Sequence, residues 1–195
     1  MINQFGSFSL YFSLLCSSYL IYKSFISQNT INKRLSENVF SVLSVQLVLT
    51  LISFFSLIYA FVISDFSNIT VYNNSHTLKP LFYKISGAWG NHEGSLLLWL
   101  LVLTVFLYVF FITTKKLNIK YRLLTIFFQQ IIIFGFLVFI IFTSNPFLNI
   151  FPVPEEGLGL NPILQDPALA IHPPLLYVGY VGTSLIFSSS LATLV

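Results

Sequence analysis

A chain of 195 residues with 56% hydrophobic and 8% charged side chains cannot cover a soluble globule, whose charged fraction is about a quarter. It reads as an integral membrane protein. Its formal charge of +3 rests on nine basic residues scattered along the chain, which excludes a nucleic-acid patch and fits loops biased basic for membrane topology.

The chain divides into apolar spans near the ~20 residues that a helix needs to cross roughly 30 Å of hydrocarbon. The spacing predicts spans at residues 5–22, 39–63, 95–112, 123–143 and 175–195, hence an all-α polytopic bundle forming a single transmembrane domain over 1–195. The first span is no ordinary cleavable signal, since no basic residue precedes it and no small-residue cleavage site follows. The lone cysteine, Cys16, lies inside that span. Without a CxxC or CxxCH pair, the chain neither runs thiol exchange by itself nor carries a covalent prosthetic group of that type. The connections are a polar segment at 27–38, a long stretch at 66–94, a short basic loop at 113–122, and a loop at 144–174 holding seven of the eight prolines.

Charge orients the bundle. Lys23, Lys33, Arg34, Lys115, Lys116, Lys120 and Arg122 sit beside or in the first and third connections, which the positive-inside rule assigns to the cytoplasm or matrix. The N-terminus and both long loops then fall outside, together with His76, His92 and His172, all three histidines of the chain.

Two stretches carry candidate chemistry. In GAWGNHEGSLLLWLL, residues 87–101, Asn91 or Ser95 can accept from the unpaired amides of a helix start, and Glu93 is favoured by the positive helix end. Trp89 suits the headgroup level. The segment is then a well-built helix entrance. Alternatively, Gly90 and Gly94 let the His92–Glu93 pair approach a planar ligand; spacing alone leaves both readings open.

In NPILQDPALAIHPPLLYVGYVG, residues 161–182, Asn161-Pro162 and Asp166-Pro167 each read as a cap followed by a first-turn proline. One or two short helical turns are expected there, lying on the membrane with Ile163, Leu164, Leu169 and Ile171 against lipid or protein. Pro173 is expected to force an extended backbone at His172, and Pro174 to occupy the first turn of the fifth helix. A lone boundary histidine is commonly a hydrogen-bonded anchor. Here the flanking prolines aim its imidazole with little entropy left to lose.

The runs SDFSNITVYNNSHTLKPLFYKISGAWGNHEGSLLLW (64–99), SNPF (144–147) and LNPILQDPALAIHPPLLYVGYVG (160–182) resemble the N-terminal part of the CcmF family. These are cytochrome c maturation haem lyases within a wider group of haem-handling membrane proteins. The resemblance implies a protein that takes haem from a haem chaperone and joins its vinyl groups to the CxxCH thiols of apocytochrome c. It implies His172 as an axial ligand of the haem iron, the metal site, and Trp89, His92 and Glu93 as residues shaping the haem-binding site. No catalytic residue is assigned. A neutral imidazole can ligate haem iron, with electronics set by what its other nitrogen donates to.

The family's tryptophan-rich segment, its second outer histidine and its pair of embedded histidines should follow the fifth span. With Trp89 and Trp99 as its two tryptophans, the chain is expected to be a fragment or split-gene piece, incomplete as an enzyme alone. Its expected partners are the remaining lyase fragment, the haem chaperone, apocytochrome c, other maturation subunits and membrane lipid, with no nucleic acid. Richness in Phe, Ile, Asn, Lys and Tyr points to an organelle genome. The expected location is then the mitochondrial inner membrane with the long loops in the intermembrane space; the alternative is the bacterial inner membrane with periplasmic loops.

The competing class is a haem-free structural or assembly subunit of a respiratory membrane complex. An ion-moving subunit would need ionisable groups inside its spans, where Gln46, Gln129 and Gln130 instead suit helix-to-helix hydrogen bonds. A receptor-like reading draws on the sequons at Asn68 and Asn73, triplets common by chance.

Overall fold

The structure, a computed structural model, describes residues 1–26 and 33–195. Half of the polar connection expected at 27–38, residues 27–32, therefore lies outside the described residues, and the other half forms the start of α2. Among the described residues the chain forms α1 (Ile2–Ile26), α2 (Lys33–Val62), α3 (Ile69–Asn74), α4 (Leu81–Gly87), α5 (His92–Thr113), α6 (Ile119–Thr143) and α7 (Pro167–Leu194). A 3₁₀ turn at Pro162–Gln165 precedes α7, and no strand forms among these residues. Helices α1, α2, α5, α6 and α7 are long and apolar enough to cross a membrane, which bears out the all-α bundle.

Several helices begin earlier than hydropathy predicts, and capping explains why. Asn91 caps α5 by accepting from the Gly94 amide at 2.7 Å, Asn118 caps α6 through the Lys120 amide at 2.8 Å, and Asp166 caps α7. A cap satisfies amides that the helix itself leaves unpaired, so the polar first turns fold as helix although they add nothing to an apolar window. The added turn of α6 carries Arg122, which is buried. Its Nη2 donates to the Phe111 carbonyl at 2.6 Å and its Nε to Thr114 Oγ1 at 3.2 Å, serving one carbonyl and the C-cap hydroxyl at the end of α5.

Packing follows the rule for membrane interiors, where small residues and polar seams replace the hydrophobic drive. On α1 the buried face is Gly6, Ser9, Ser13, Ser17 and Ser24 with Leu10 and Leu20, and this helix lies against α2 and α6. Gln46 and Gln130 exchange amide hydrogen bonds at 2.6 and 3.3 Å, and Ser17 Oγ donates to Gln130 Oε1 at 2.7 Å, closing α1, α2 and α6 together. Its neighbour Gln129, turned ~100° around the helix, donates to Ser184 Oγ at 2.9 Å and accepts from Ser188 at 2.7 Å, closing α6 on α7. The helix-to-helix role expected of these glutamines is borne out.

Helix α7 packs on α5 and α6. Of its membrane-crossing stretch 17% is buried, against 50% of that of α6, so α7 is the bundle's outermost helix.

The end assigned to the outside by charge is stitched together. Asn68 caps α3 through the Thr70 and Val71 amides while donating to Asn3 Oδ1 and to the Pro146 carbonyl, both at 2.9 Å. Asn3 donates to Asn149 at 2.8 Å, and backbone bonds pair Ile69 with Leu148 and Ile150 with Ser67, each at 2.9 Å. The N-terminus, the 63–68 connection and the segment after α6 thus share one end. Asn68 is fully buried with its side chain in use, which removes its sequon from the receptor reading.

Candidate functional site: two histidine-bearing helix entrances

The first entrance joins α4 to α5. The amides of Ala88 and Gly90 turn back on Ile85 and Ser86 carbonyls at 3.1 and 2.9 Å, and Asn91 Nδ2 donates to the Gly87 carbonyl at 2.7 Å while its Oδ1 caps α5. One side chain therefore fixes the end of one helix to the start of the next. The turn is so tight that a Cβ on Gly94 would stand 1.6 Å from the Ala88 carbonyl oxygen, and one on Gly90 would press on Leu160 and Leu164 at 3.4 Å. These glycines serve close approach of backbone and of the 3₁₀ turn to the α5 entrance. Ser95 takes no capping role and donates to the His92 carbonyl at 2.9 Å.

His92 is exposed on the first turn of α5, yet its Nε2 lies 3.0 Å from Ser144 Oγ. Ser144 is buried at the C-terminal cap of α6, so this imidazole bridges two helix ends. Glu93 is half-buried beside it in the first turn. Ser144 is a site residue that motif reading quoted without a role; its place in SNPF next to a histidine motif was the available signal.

The second entrance leads into α7. As expected, Asn161 accepts from the Ile163 amide at 3.0 Å over the Pro162–Gln165 turn, and Asp166 accepts from Ala168 and Leu169 amides at 2.8 and 3.2 Å. The helix begins there, at Pro167, and runs straight through Pro173 and Pro174. The expected extended backbone at His172 and the start of a fifth span at 175 are therefore corrected: His172 is helical, in the second turn of α7.

The local preference of a residue before proline for extended backbone is real, but a capped helix that recovers its lost bonds overrides it. Pro174 has no N–H for the carbonyl four residues back, that of Ala170. Trp89 Nε1 donates to that carbonyl at 2.8 Å. Ala170 is buried, 4% exposed, which is why it needs such a donor.

His172 is exposed, and no hydrogen bond engages its ring among the described residues. Exposed Ile171, Leu175 and Leu176 surround it in sequence. No group of three His, Cys, Asp or Glu side chains that could hold a metal forms among the described residues. The structure brings Trp89 and the His172 turn into contact and ties His92 to Ser144; it records no hydrogen bond between the two histidines.

Around these entrances the two outer connections clasp each other. Leu158 and Gly159 amides donate to the Tyr72 and Ser75 carbonyls at 2.8 and 3.0 Å, and Gly159 sits at φ +93°, a conformation that glycine adopts at no steric cost. Glu156 accepts from the Thr77 hydroxyl and amide at 2.6 and 2.9 Å. Those bonds, the hydroxyl's first, hold its carboxyl below the usual glutamate range. His76 Nδ1 accepts from the Leu78 amide and stands 3.7 Å from Glu156. Burial lowers the Lys79 ammonium to about 8. Deeper down, Trp99 stacks on Phe136 at 5.8 Å and meets Tyr177 at 5.4 Å, joining α5, α6 and α7.

A bundle of this build, with a histidine-bearing Trp-Gly turn latched to a proline-interrupted helix, defines a class. The family described as "Cytochrome C assembly protein" matches residues 89–195, more than half of the chain, and the chain belongs to that family. It is 51% identical over 150 residues to the cytochrome c-type biogenesis protein ccl1 of Rhodobacter capsulatus, covering 77% of this chain and 23% of that protein. It is 46% identical over 145 residues to the cytochrome c-type biogenesis protein CcmF of Escherichia coli, covering 73% and 22%.

A solved structure, cytochrome c heme lyase CcmF, shares the fold at TM-score 0.82 and 22% identity, over 98% of this chain and 30% of that one. The chain spans less than a quarter of the length of these curated relatives. They are bacterial; they support a multi-pass inner-membrane protein and lend no support to the mitochondrial placement expected from composition.

Proposed function

We propose that this chain is the N-terminal part of a cytochrome c maturation haem lyase, one membrane domain that presents an axial ligand for haem on the outer side of the membrane. The observation that carries the reading is His172: an exposed imidazole without a protein partner among the described residues, on a helix turn held from two directions by Asp166 and Trp89. With the backbone held this way, only the ring's own rotamers remain to be ordered when a ligand arrives. A neutral imidazole offers a lone pair to iron.

Haem is the cargo, and each thioether forms by addition of a cysteine S–H across a vinyl group, sulfur to one carbon and hydrogen to the other. What this chain's residues do is hold and orient: His172 at the iron, with the Trp89–Glu93 turn shaping the wall beside it. The rest of the lyase, carrying the tryptophan-rich segment and a second histidine, supplies the remaining surface. The haem chaperone, apocytochrome c and other maturation subunits are its partners. The bacterial relatives favour a periplasmic face; an intermembrane-space face would present the same chemistry.

His172→Ala, expressed with the rest of the lyase, is expected to insert normally while losing the transferable haem and cytochrome c maturation. A retained haem spectrum with normal maturation overturns the ligand assignment.

A further inference from the structure

We infer that Trp89 is a positioning residue that latches the His172 turn at a hinge made by Pro173 and Pro174. Two consecutive prolines delete two successive helix bonds, from 173 to the Leu169 carbonyl and from 174 to that of Ala170. The segment 167–172, which carries His172, is thereby joined to the body of α7 by two fewer helix bonds than an unbroken helix supplies. Leu169 is exposed, so its carbonyl side has access to the surroundings; Ala170 is buried. The buried one receives a replacement donor from outside the helix, the Trp89 indole N–H at 2.8 Å.

What else holds the turn is the Asp166 cap and the Ala170 amide bond to the Asp166 carbonyl at 2.9 Å, both internal to the segment, and the helix bonds that run from residues 175 and 176 back to the Ile171 and His172 carbonyls. The indole is thus the one side-chain hydrogen bond recorded between the His172 turn and the α4–α5 connection among the described residues. Because Trp89 belongs to the turn that Asn91 and Gly94 lock onto α5, the position of the His172 ring is referred to α5 through this bond. Breaking it frees the turn to pivot about the proline pair, which would move an axial ligand relative to its iron.

The inference builds on the proposed ligand role of His172, but its geometry is independent of haem and is tested without it. Trp89→Phe keeps an aromatic ring and removes the donor. Pro174→Ala gives the Ala170 carbonyl an intrahelical N–H in its place. In the membrane-embedded protein, purified with every chain that accompanies it, backbone amide exchange across 168–172 is measured by mass spectrometry. Trp89→Phe is expected to speed exchange about tenfold, Pro174→Ala alone to leave it unchanged or slower, and the double variant to return to the parent rate.

The haem-loaded protein should follow the same pattern in its ligand-field spectrum and reduction potential, disturbed in the single variant and restored in the double. Exchange that Trp89→Phe leaves unaltered, or a defect that Pro174→Ala fails to rescue, overturns the latch. Haem retained in His172→Ala would instead refute the ligand reading while leaving the exchange result standing.

Discussion

The α5 and α7 entrances are built from the same parts and finished differently. Each opens on an Asx cap, Asn91 or Asp166, and each carries a histidine within its first two turns. At α5 the histidine is spent: Ser144 takes its Nε2, and glycine contacts leave the backbone no slack. At α7 the backbone has a deliberate gap at two prolines, closed by Trp89, and the histidine is left open. A histidine that ties two helix ends contributes to stability. One that the fold holds by its backbone while leaving its ring free is available for binding. The difference between these imidazoles lies in their partners, which neighbouring sequence does not reveal.

The sharpest way to break the comparison is at the backbone of the closed entrance. Gly94→Ala places a methyl group where the Ala88 carbonyl oxygen already stands, 1.6 Å away, and neither backbone can yield without undoing the cap. A loss of about 3 kcal/mol or more is expected, seen as poor membrane accumulation and a lower thermal midpoint. Gly179→Ala on α7, where a Cβ meets nothing within 4 Å, should leave both unchanged. Equal tolerance at the two sites would mean that the α5 entrance is not the rigid reference that it is taken to be.

The histidines themselves come next. His92→Ala strands the buried Ser144 hydroxyl and should cost about 1 kcal/mol, lowering the thermal midpoint of the haem-free protein. His172→Ala has no protein hydrogen bond to lose among the described residues, so the same midpoint should not move. If His172→Ala destabilises the haem-free protein as much as His92→Ala, the open imidazole has a structural partner and the contrast fails.

Much of this was legible in the sequence, and the failures are instructive. Five crossings followed from hydropathy, and the helix-to-helix role of Gln46, Gln129 and Gln130 followed from the cost of burying amides in hydrocarbon. The caps at Asn91, Asn161 and Asp166 were readable as well. What misled was Pro173-Pro174: local preference argues for a break, while the bond that prevents one comes from Trp89, 81 residues away in sequence. The same holds for Ser144 and His92, separated by 52 residues. Local rules locate caps and crossings; the donors that cancel a local penalty come from tertiary contacts.

The smallest expected effect concerns how the open entrance is tethered. The connection leading to it is fastened to the first outer connection through Glu156, whose carboxylate accepts the Thr77 hydroxyl and amide and faces His76 Nδ1 at 3.7 Å. Those bonds favour the ionised form, so the carboxyl titrates below its ordinary 4.5 in the folded protein. A group depressed in this way binds fewer protons folded than unfolded. Its contribution is therefore complete above about pH 4.5 and is lost as pH falls through the folded value. Because the Glu156 side chain is exposed to solvent, the effect should be local.

Amide protection of Leu158 and Gly159, whose bonds to Tyr72 and Ser75 close the same clasp, is expected to fall in acid while the α5 amides hold. Glu156→Gln, neutral at every pH, should lower that protection at neutral pH and abolish its acid dependence. If the α5 amides loosen in step with Leu158 and Gly159, the clasp and the α5 entrance are one cooperative unit, and the contrast between a rigid α5 entrance and a loosely tethered approach to α7 is wrong.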